Sequence, residues 1–374
     1  MTLGLFLFVF STLSAWSLMH WYVFQNFAAI GVSRAFLIPV LWALALSFPI
    51  LRLLTLKWRN SLTRILNWIA ACWMGSVFVL SFWFLISSGV RRLAGLLGFA
   101  GLAADAGLWI ASTAFAVAGM IGWGLLKAFR GPKEVRYAID RSARYRRGES
   151  VRIVQISDVH LGLTLGTEFL RKLVERINGL RPDLVFITGD FIDPEFPSDV
   201  EAAAILSKLV PSQGTYAVSG NHEFYAGLPR FLNLMAAAGI PVLANEVRAT
   251  PSGLQIAGIH DQSANRFPHL GVACDLGKAL RDINHGSPSF LLAHQPKELE
   301  PAHESRVDLV FCGHTHAGQV FPFLAVVRLA FRYVAGKYAL GKETDLIVNT
   351  GTGFWGPPMR IGTDSQIVVV DFRY

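Results

Sequence analysis

Cysteine is scarce in this chain. Its 374 residues include three cysteines, Cys72, Cys274 and Cys312, which are odd in number and far apart in the sequence. Such a set cannot form a disulfide framework, and none of the spacings matches the paired cysteines of a zinc finger. The composition therefore excludes a disulfide-stapled secreted domain. It is typical of a protein whose soluble part lies in a reducing, cytoplasmic compartment.

Acidic residues are almost absent from the first third of the chain. Residues 1–130 contain one acid, Asp105, against nine lysines and arginines, and this imbalance equals the formal net charge of +8 of the whole chain. Residues 131–374 are therefore neutral overall. Because the basic pI arises from charges that flank apolar segments rather than from a basic domain, we expect no nucleic-acid partner.

Long apolar runs occupy the region that lacks acids. They cover approximately residues 3–24, 35–56, 65–87 and 108–129. Each is about twenty residues long, the length that an α-helix needs to cross a bilayer core of about 30 Å. We therefore predict an all-α transmembrane domain of four helices over residues 1–130, with buried helices of a soluble bundle as the alternative. The first run follows no basic segment and is too long for a signal peptide, so we expect it to be retained.

The distribution of basic residues between these runs predicts an orientation. The second connection and the segment after the fourth run are rich in basic residues: Arg52, Lys57, Arg59, Arg64, Lys127, Arg130, Lys133, Arg136, Arg141, Arg144, Arg146 and Arg147. By the positive-inside rule, both termini and the whole C-terminal region lie in the cytoplasm. Arg91 and Arg92, in an opposite connection, argue against this orientation. The glycine-rich and alanine-rich stretch 90–107 is predicted to be re-entrant or interfacial.

Residues 131–150 are predicted to form a basic linker. One interpretation is a solvated connector that follows the positive-inside bias. Another is contact with anionic lipid head groups, which is favoured by about 1 kcal/mol per basic residue near the surface. The sequence is compatible with both.

Short apolar strands alternate with amphipathic helices from residue 151 onward. Strands are predicted at 151–156, 184–188, 216–219, 254–259, 290–293, 309–312, 346–349 and 366–371, and helices near 168–178, 198–209, 228–237 and 273–284. This alternation indicates an α/β domain with layered sheets over residues 151–374.

Polar residues follow five of the predicted strands directly. The strand at 151–156 ends in Ser157-Asp158-Val159-His160, and residues two apart in an extended chain point to the same side. Later strand ends carry Gly189-Asp190, Gly220-Asn221-His222, His294 and Gly313-His314-Thr315-His316. Each alone is typical of an ordinary turn. Ligands gather at the carboxyl ends of strands in α/β sheets, so together these residues predict a site for two metal ions.

These blocks, with Gly189-Asp190-Phe191-Ile192-Asp193 and Gly220-Asn221-His222-Glu223 in full, resemble the complete signature of the calcineurin-like metallophosphoesterases over about residues 150–374. The residues of the first block, extended to Gly162, and of the last block, extended to Gln319, are similar to those of a membrane-anchored bacterial branch of this family. That branch includes enzymes acting on phospholipid-type phosphodiesters and a UDP-2,3-diacylglucosamine pyrophosphatase. The resemblance implies a multi-pass protein of the bacterial inner membrane.

The resemblance also implies a C-terminal four-layer α/β/β/α sandwich with two metal ions at the sheet edges. It implies one ion held by Asp158, His160, Asp190 and His316, and a second held by Asp190, Asn221, His294 and His314. His222, oriented in part by Asp193, would stabilise the transition state or protonate the leaving oxygen. No ligand of the family pattern is missing, so we expect an active enzyme.

The predicted ligands favour particular metals and a particular chemistry. Imidazole, carboxylate and amide groups together suit Mn²⁺, Fe or Zn²⁺ better than Mg²⁺ or Ca²⁺, and Mn²⁺ is our first choice. Two such ions neutralise a phosphate and activate a water molecule. We therefore predict a metal-dependent phosphoesterase that hydrolyses phosphodiester or pyrophosphate bonds.

Three further features have two interpretations each. His260 follows a strand and is either a substrate-binding residue or a loop residue. Arg360 either binds a phosphate group or forms a surface salt bridge. The apolar stretch 320–334 is either part of the core or a hydrophobic flap that touches the bilayer or accepts acyl chains.

The predicted membrane anchor favours an amphiphilic substrate, either a phospholipid or a lipid-linked nucleotide. One alternative is a phosphoesterase acting on soluble nucleotides, with the membrane serving only as an address. A second is a transporter or sensor regulated by the metal domain. Against the second, we expect no buried charge in the helices apart from His20 and the borderline Asp105, whereas ionisable groups inside the membrane usually mark transport paths.

Overall fold

The apolar runs form long helices. The computed structural model describes residues 3–58 and 60–374, without the side chains of residues 3–6, 8, 9, 56, 57 and 102; Arg59 of the basic connection lies outside the described residues. The helices are α1 (Leu3–Ala29), α2 (Arg34–Lys57), α3 (Ser61–Leu96), α4 (Ala100–Ala103) and α5 (Ala106–Phe129). Within the described residues, three segments are long and apolar enough to cross a membrane: Arg34–Thr55, Ser61–Leu96 and Ala106–Phe129.

Two polar residues of this region cap helices. Asn60 accepts a hydrogen bond from the Thr63 N–H at 2.9 Å and starts α3, as expected for an N-cap. Asp105, the single acid of residues 1–130, accepts from the Leu108 N–H at 2.9 Å at the start of α5. Within the stretch 90–107, α3 continues as a helix to Leu96 and α4 follows at Ala100–Ala103, while the re-entrant or interfacial position stays a prediction.

His20 is a packing residue with both ring nitrogens satisfied. Its Nδ1 lies 2.9 Å from the Trp16 carbonyl oxygen, and its Nε2 accepts from the Trp73 indole N–H at 3.0 Å. This pattern corresponds to a neutral imidazole that donates through Nδ1. The two partners account for the buried histidine without a transport role.

Two later segments of the chain belong to the helical unit. The chain divides into two compact units, and the first comprises the chain up to Phe129 together with Val320–Pro322 and Gly356–Ile361. Within it, a Cβ at Gly124 would overlap the Ile361 side chain, and the Arg360 N–H donates to the Gly124 carbonyl at 3.0 Å. Gly124 on α5 therefore allows Arg360 and Ile361 to approach closely.

The second unit comprises Arg130–Gln319, Phe323–Trp355 and Gly362–Tyr374. Its described strands are β1 (Lys133–Asp140), β2 (Ser150–Ile156), β3 (Leu184–Thr188), β4 (Gly214–Val218), β5 (Glu246–Ala249), β6 (Gln255–Gly258), β7 (Ser289–Leu292), β8 (Leu309–Cys312), β9 (Gly336–Ala339), β10 (Asp345–Val348) and β11 (Gln366–Arg373). Its α-helices are α6 (Ser142–Tyr145), α7 (Thr167–Gly179), α8 (Asp199–Leu206), α9 (Asn221–Ala226), α10 (Leu228–Ala237), α11 (Leu276–Arg281), α12 (Glu300–Glu304) and α13 (Phe323–Ala330). The mixed α/β class is confirmed.

The strands form two sheets. One has the order β1-β11-β2-β3-β4 and the other the order β5-β6-β7-β8-β10-β9. Strands β2, β3 and β4 are parallel neighbours, as are β6, β7, β8 and β10. Parallel neighbours end at the same edge of a sheet, so the loops after them lie close together.

Alternation along the strands divides the core into three clusters. Phe186 of β3, Phe290 of β7 and Phe311 of β8 share one cluster, to which both sheets contribute. The intervening residues of β2, β3 and β11 pack with α7, α8 and α10, and those of β7, β8 and β10 pack with α11 and α12. Successive side chains of a strand point to opposite faces, so each sheet buries both of its faces.

The structure corrects the predicted linker at 131–150. Strand β1 lies within this segment and pairs in parallel with β11 along its whole length. The arginines that follow it bind carboxylates of the same unit, with Arg141 2.9 Å from Asp345 and Arg144 3.2 Å from Asp308. The Tyr145 hydroxyl also donates to Asp308 at 2.7 Å. Strand pairing and these ion pairs make the segment part of the α/β unit.

Candidate metal centre

The predicted metal ligands follow strands of both sheets. Asp158 and His160 come after β2, Asp190 after β3, Asn221 after β4, His294 after β7, and His314 and His316 after β8. Asp158, His160, Asp190, His314 and His316 have positive φ angles between 48° and 72°. Non-glycine residues rarely adopt this conformation, and such strain concentrates at functional sites.

One group of ligands contains Asp158, His160 and His316, whose ligand atoms all lie within 4.8 Å of one another. His160 Nε2 lies 3.2 Å from His316 Nε2, and His316 Nε2 lies 3.4 Å from Asp158 Oδ1. Asp190 Oδ2 is 3.8 Å from His160 Nε2. A Cβ at Gly313 would overlap an Asp158 carboxylate oxygen, so glycine is required there.

A second group contains Asp190, His294 and His314. His294 Nε2 lies 3.1 Å from Asp190 Oδ2 and 3.1 Å from His314 Nδ1. His294 Nδ1 lies 2.8 Å from the Thr188 carbonyl oxygen, which fixes the tautomer so that Nε2 faces the group. Asp190 is therefore close to both groups, as a bridging carboxylate requires.

Asn221 provides a test of whether a metal fits this site. Its Oδ1 is buried and has no hydrogen-bond partner among the described residues. An unpaired buried amide oxygen costs free energy of about 1–3 kcal/mol, whereas a divalent cation accepts such an oxygen as a ligand. The unpaired oxygen and the facing imidazole nitrogens fit a metal-binding site.

Asp193 connects two histidines. Its Oδ1 lies 3.0 Å from His160 Nδ1 and 2.8 Å from His222 Nδ1. The carboxylate orients the first ring, a predicted ligand, and the second, the predicted catalytic residue. The His222 N–H also donates to Asp190 Oδ1 at 2.8 Å. The structure thus brings His222 and Asp193 together with the ligand groups, while their catalytic roles stay predictions.

Charge pairing shifts the pKa values of these groups. Burial alone would raise the pKa of Asp190, but the positive charges of His294 and His222 lower it well below its usual value. Burial lowers the pKa of His314 to about 3, and the charge of His294 adds to this effect. Burial opposes ionisation of His222, yet the carboxylates of Asp190 and Asp193 raise its pKa to about 9. Metal binding to such groups is coupled to proton release.

Glu223, the last residue of the block Gly220-Asn221-His222-Glu223, is a positioning residue. Its role was not predicted from the sequence. Its fully buried carboxylate accepts from the backbone N–H groups of Gly220, Asp190 and Phe191 at 2.6, 2.9 and 2.7 Å. It therefore ties the loop after β4 to the loop after β3. A glutamate two residues after a predicted ligand is the one sequence signal for this role. Burial and the nearby Asp190 carboxylate raise its pKa to about 6.

The two predicted substrate-binding residues lie in different units. His260 is buried, with Nδ1 2.9 Å from the Ser219 hydroxyl at the end of β4. Arg360 belongs to the helical unit and is fully buried, which contradicts its surface salt-bridge interpretation. Substrate binding by either residue stays a prediction.

The stretch 320–334 divides between both units. Val320–Pro322 belongs to the helical unit, whereas α13 belongs to the α/β unit. One face of α13 packs in a cluster with Ala317 and Val334, so part of the stretch is core. Leu329 is 89% exposed, so another part is not.

The sequence of this chain is similar to those of known proteins. Residues 151–318 match the family model described as calcineurin-like phosphoesterase. An uncharacterized metallophosphoesterase of Aquifex aeolicus is 33% identical over 232 residues, which cover 61% of this chain and 87% of that protein. An uncharacterized metallophosphoesterase of Helicobacter pylori is 36% identical over 220 residues, 59% of each chain.

A transmembrane protein with metallophosphoesterase domain from Danio rerio is 35% identical over 254 residues, which cover 66% of this chain and 58% of that protein. The matches to the Helicobacter pylori and Danio rerio relatives span about three fifths of the length of those proteins. The ligand pattern, the α/β unit and these matches agree. The chain belongs to the calcineurin-like metallophosphoesterase family.

Proposed function

We propose that this protein is a membrane-bound phosphoesterase with two metal ions that hydrolyses phosphodiester or pyrophosphate bonds. One observation carries the proposal: Asp190 lies within 3.8 Å of His160 in one ligand group and within 3.1 Å of His294 in the other. A carboxylate shared between two ligand groups is what a two-metal site requires. The buried Asn221 oxygen supports the second group.

The first ion would be held by Asp158, His160, Asp190 and His316, and the second by Asp190, Asn221, His294 and His314. The chemistry that two divalent cations supply when bound is neutralisation of the phosphate charge and a lowered pKa of water. Imidazole and carboxylate donors favour Mn²⁺, Fe or Zn²⁺, and Mn²⁺ is tested first.

His222 would act on the leaving group. Its Nδ1 is engaged with Asp193 Oδ1 at 2.8 Å, so Nε2 is the nitrogen that can donate to substrate. A water oxygen bonds to phosphorus and releases a proton to solvent, the bond from phosphorus to the leaving oxygen breaks, and that oxygen takes the Nε2 proton. The ring then regains a proton from solvent. Asp193 keeps the ring in the orientation that this transfer needs.

A lipid-linked or phospholipid substrate agrees best with the helices. Three described segments are long enough to cross a membrane, and α1, at 27 residues, has the length of a fourth span. We propose four spans in the bacterial inner membrane, with the α/β unit in the cytoplasm as a four-layer α/β/β/α sandwich. The two sheets with helices on their other faces support the layer count.

The test is manganese-dependent hydrolysis by the purified full-length protein. Bis-p-nitrophenyl phosphate, a phospholipid and UDP-diacylglucosamine are compared for wild type, Asp190→Ala and His222→Ala. Asp364→Ala and His285→Ala serve as matched controls because both residues lie outside the ligand groups. We expect turnover of one lipid well above that of the generic ester, with loss in the site variants and retention in the controls.

The outcomes distinguish the alternatives. Turnover of soluble nucleotides that is independent of lipid or detergent would replace the lipid substrate with a soluble one. No turnover of any ester, with two metals bound per chain, would refute the hydrolase itself.

A further inference from the structure

Helix α13 (Phe323–Ala330) has two apolar faces. At about 100° per residue, Leu324, Val327 and Phe331 share one side, and these three pack in the cluster with Ala317 and Val334. Phe323, Val326 and Leu329 lie on another side, and they are 46%, 51% and 89% exposed. Core packing accounts for the first face but not for the second.

The chain on the N-terminal side of α13 packs with an apolar helix long enough to cross a membrane. Phe323 follows directly after Val320–Pro322, which belongs to the helical unit. In that unit, the Phe321 ring lies 5.7 Å from the Phe82 ring and 6.0 Å from the Trp83 ring, both on α3. The Phe321 N–H donates to the Ile361 carbonyl at 2.9 Å. The exposed apolar face therefore begins two residues after a side chain packed on α3.

The charged residues of α13 and of the sequence next to it are basic, although Asp364 lines a pocket together with Arg328 and Arg332. No acidic residue occurs between Asp308 and Glu343, whereas Arg328 and Arg332 lie on and just after the helix. Both arginines are exposed, and helical geometry puts them on an edge between the packed face and the exposed apolar face. Apolar side chains on one face with arginines beside them are typical of helices that lie in the membrane interface.

We propose that α13 lies in the membrane interface, with Val326 and Leu329 inserted among the lipids and Arg328 and Arg332 at the level of anionic head groups. The occupant of the exposed face is thus a lipid bilayer. A short amphipathic helix next to the metal ligands His314 and His316 would hold the site at the membrane surface. Insertion of α13 does not depend on hydrolysis.

The test uses nitroxide labels on the full-length protein. Cys72 and Cys274 are replaced by serine, and Cys312 is kept because it is fully buried. Single cysteines are introduced as Leu329→Cys, Val326→Cys and Val200→Cys. Val200 of α8 is the matched control, since it is an aliphatic residue with 87% exposure. The labelled proteins are placed in nanodiscs of phosphatidylcholine and phosphatidylglycerol in equal amounts.

The readout is the ratio of collisions with oxygen, which concentrates in the bilayer, to collisions with a water-soluble nickel chelate. We expect this ratio to be severalfold higher at positions 326 and 329 than at position 200. Equal ratios at all three positions would overturn the proposal. Low collision rates with both reagents at 326 and 329 would also overturn it, because they would indicate a protein partner such as a second copy of the chain.

Thermal unfolding of each labelled variant shows that it is folded before it is measured. The label reports lipid exposure and not turnover, so failure of this proposal and failure of the proposed hydrolysis give different results. If the protein hydrolyses its substrate normally while α13 is exposed to water, only the proposed membrane-interface role of α13 is refuted.

Discussion

The loops with the candidate metal ligands and the helical unit differ in how they treat polar side chains. In the loops, carboxylates and imidazoles are buried, and neighbouring polar groups orient them: the His314 N–H donates to both Asp158 oxygens at 3.0 Å. In the helical unit, polar side chains are few, and hydroxyls such as that of Ser76 donate to the carbonyl one turn earlier. The loops therefore contain buried ionisable groups and residues with positive φ angles, whereas the helices leave few polar groups without a hydrogen-bond partner. Substitutions should therefore have different effects in the two regions.

The largest effect is expected from Asp190→Asn. Losing the residue that lies near both ligand groups should lower metal content and turnover by more than about 10²-fold, since loss of a residue that only supports a metal ligand already costs 10–100-fold. Metal analysis and steady-state hydrolysis measure this. Asp364→Asn, at the ion pair with Lys133, is the control, and equal losses in both variants would contradict the role of Asp190.

Metal removal should act on the loops and spare the helices. A chelator is expected to abolish hydrolysis reversibly. It should lower the unfolding free energy of the α/β unit by about 2.7 kcal/mol if metal had been present at a hundredfold excess over its Kd. Thermal unfolding monitored separately for each unit tests this. Equal destabilisation of the helical unit would show that the two regions respond together.

Glu223→Gln should have an intermediate effect. One amide NH₂ would replace an oxygen that accepts backbone N–H groups, and a buried donor facing donors costs about 1–3 kcal/mol. We expect a lower unfolding temperature together with reduced turnover, measured on the same sample. Glu168→Gln, a surface residue of α7, should change neither quantity. Stability loss with unchanged turnover would mean that Glu223 does not position the ligand loops.

The smallest effect is expected in α5. Gly124→Ala should destabilise the helical unit by about 1–3 kcal/mol, because the added methyl group would overlap Ile361. Gly119→Ala in the same helix meets open space and should stabilise it by up to about 1 kcal/mol. Unfolding in detergent compares the two variants. Similar stability for both would show that Ile361 does not pack there.

The sequence predicted elements well where hydrophobic period and element length agreed. Strands β3 and β8 and helix α10 were predicted at the residues where they occur. Strand β1 was missed although Val135, Tyr137 and Ile139 recur at every second position, since the surrounding basic charge favoured a linker. Its partner β11 lies more than 200 residues later in the chain, and local pattern contains no information about that pairing.

The candidate ligands could be proposed from the sequence because chemistry restricts metal ligands to a few residue types at strand ends, and their roles as ligands stay predictions. Residue identity alone did not predict the left-handed backbone conformation of Asp158 and Asp190. It also did not predict that the Asp193 carboxylate contacts both His160 and His222. Those features arise from how the loops after β2, β3 and β4 meet. The membership of Gly356–Ile361 in the helical unit was equally invisible to local pattern.

By itself, the sequence determined the long apolar helices, the α/β alternation and the residue types of the candidate metal ligands, because each follows from composition and short-range spacing. Only the tertiary structure decided which ligands share a group, which carboxylate supports which ring, and that α13 exposes a second apolar face. These depend on contacts between residues far apart in the chain. Their geometry is set by strand pairing and packing, which no local stretch of sequence encodes.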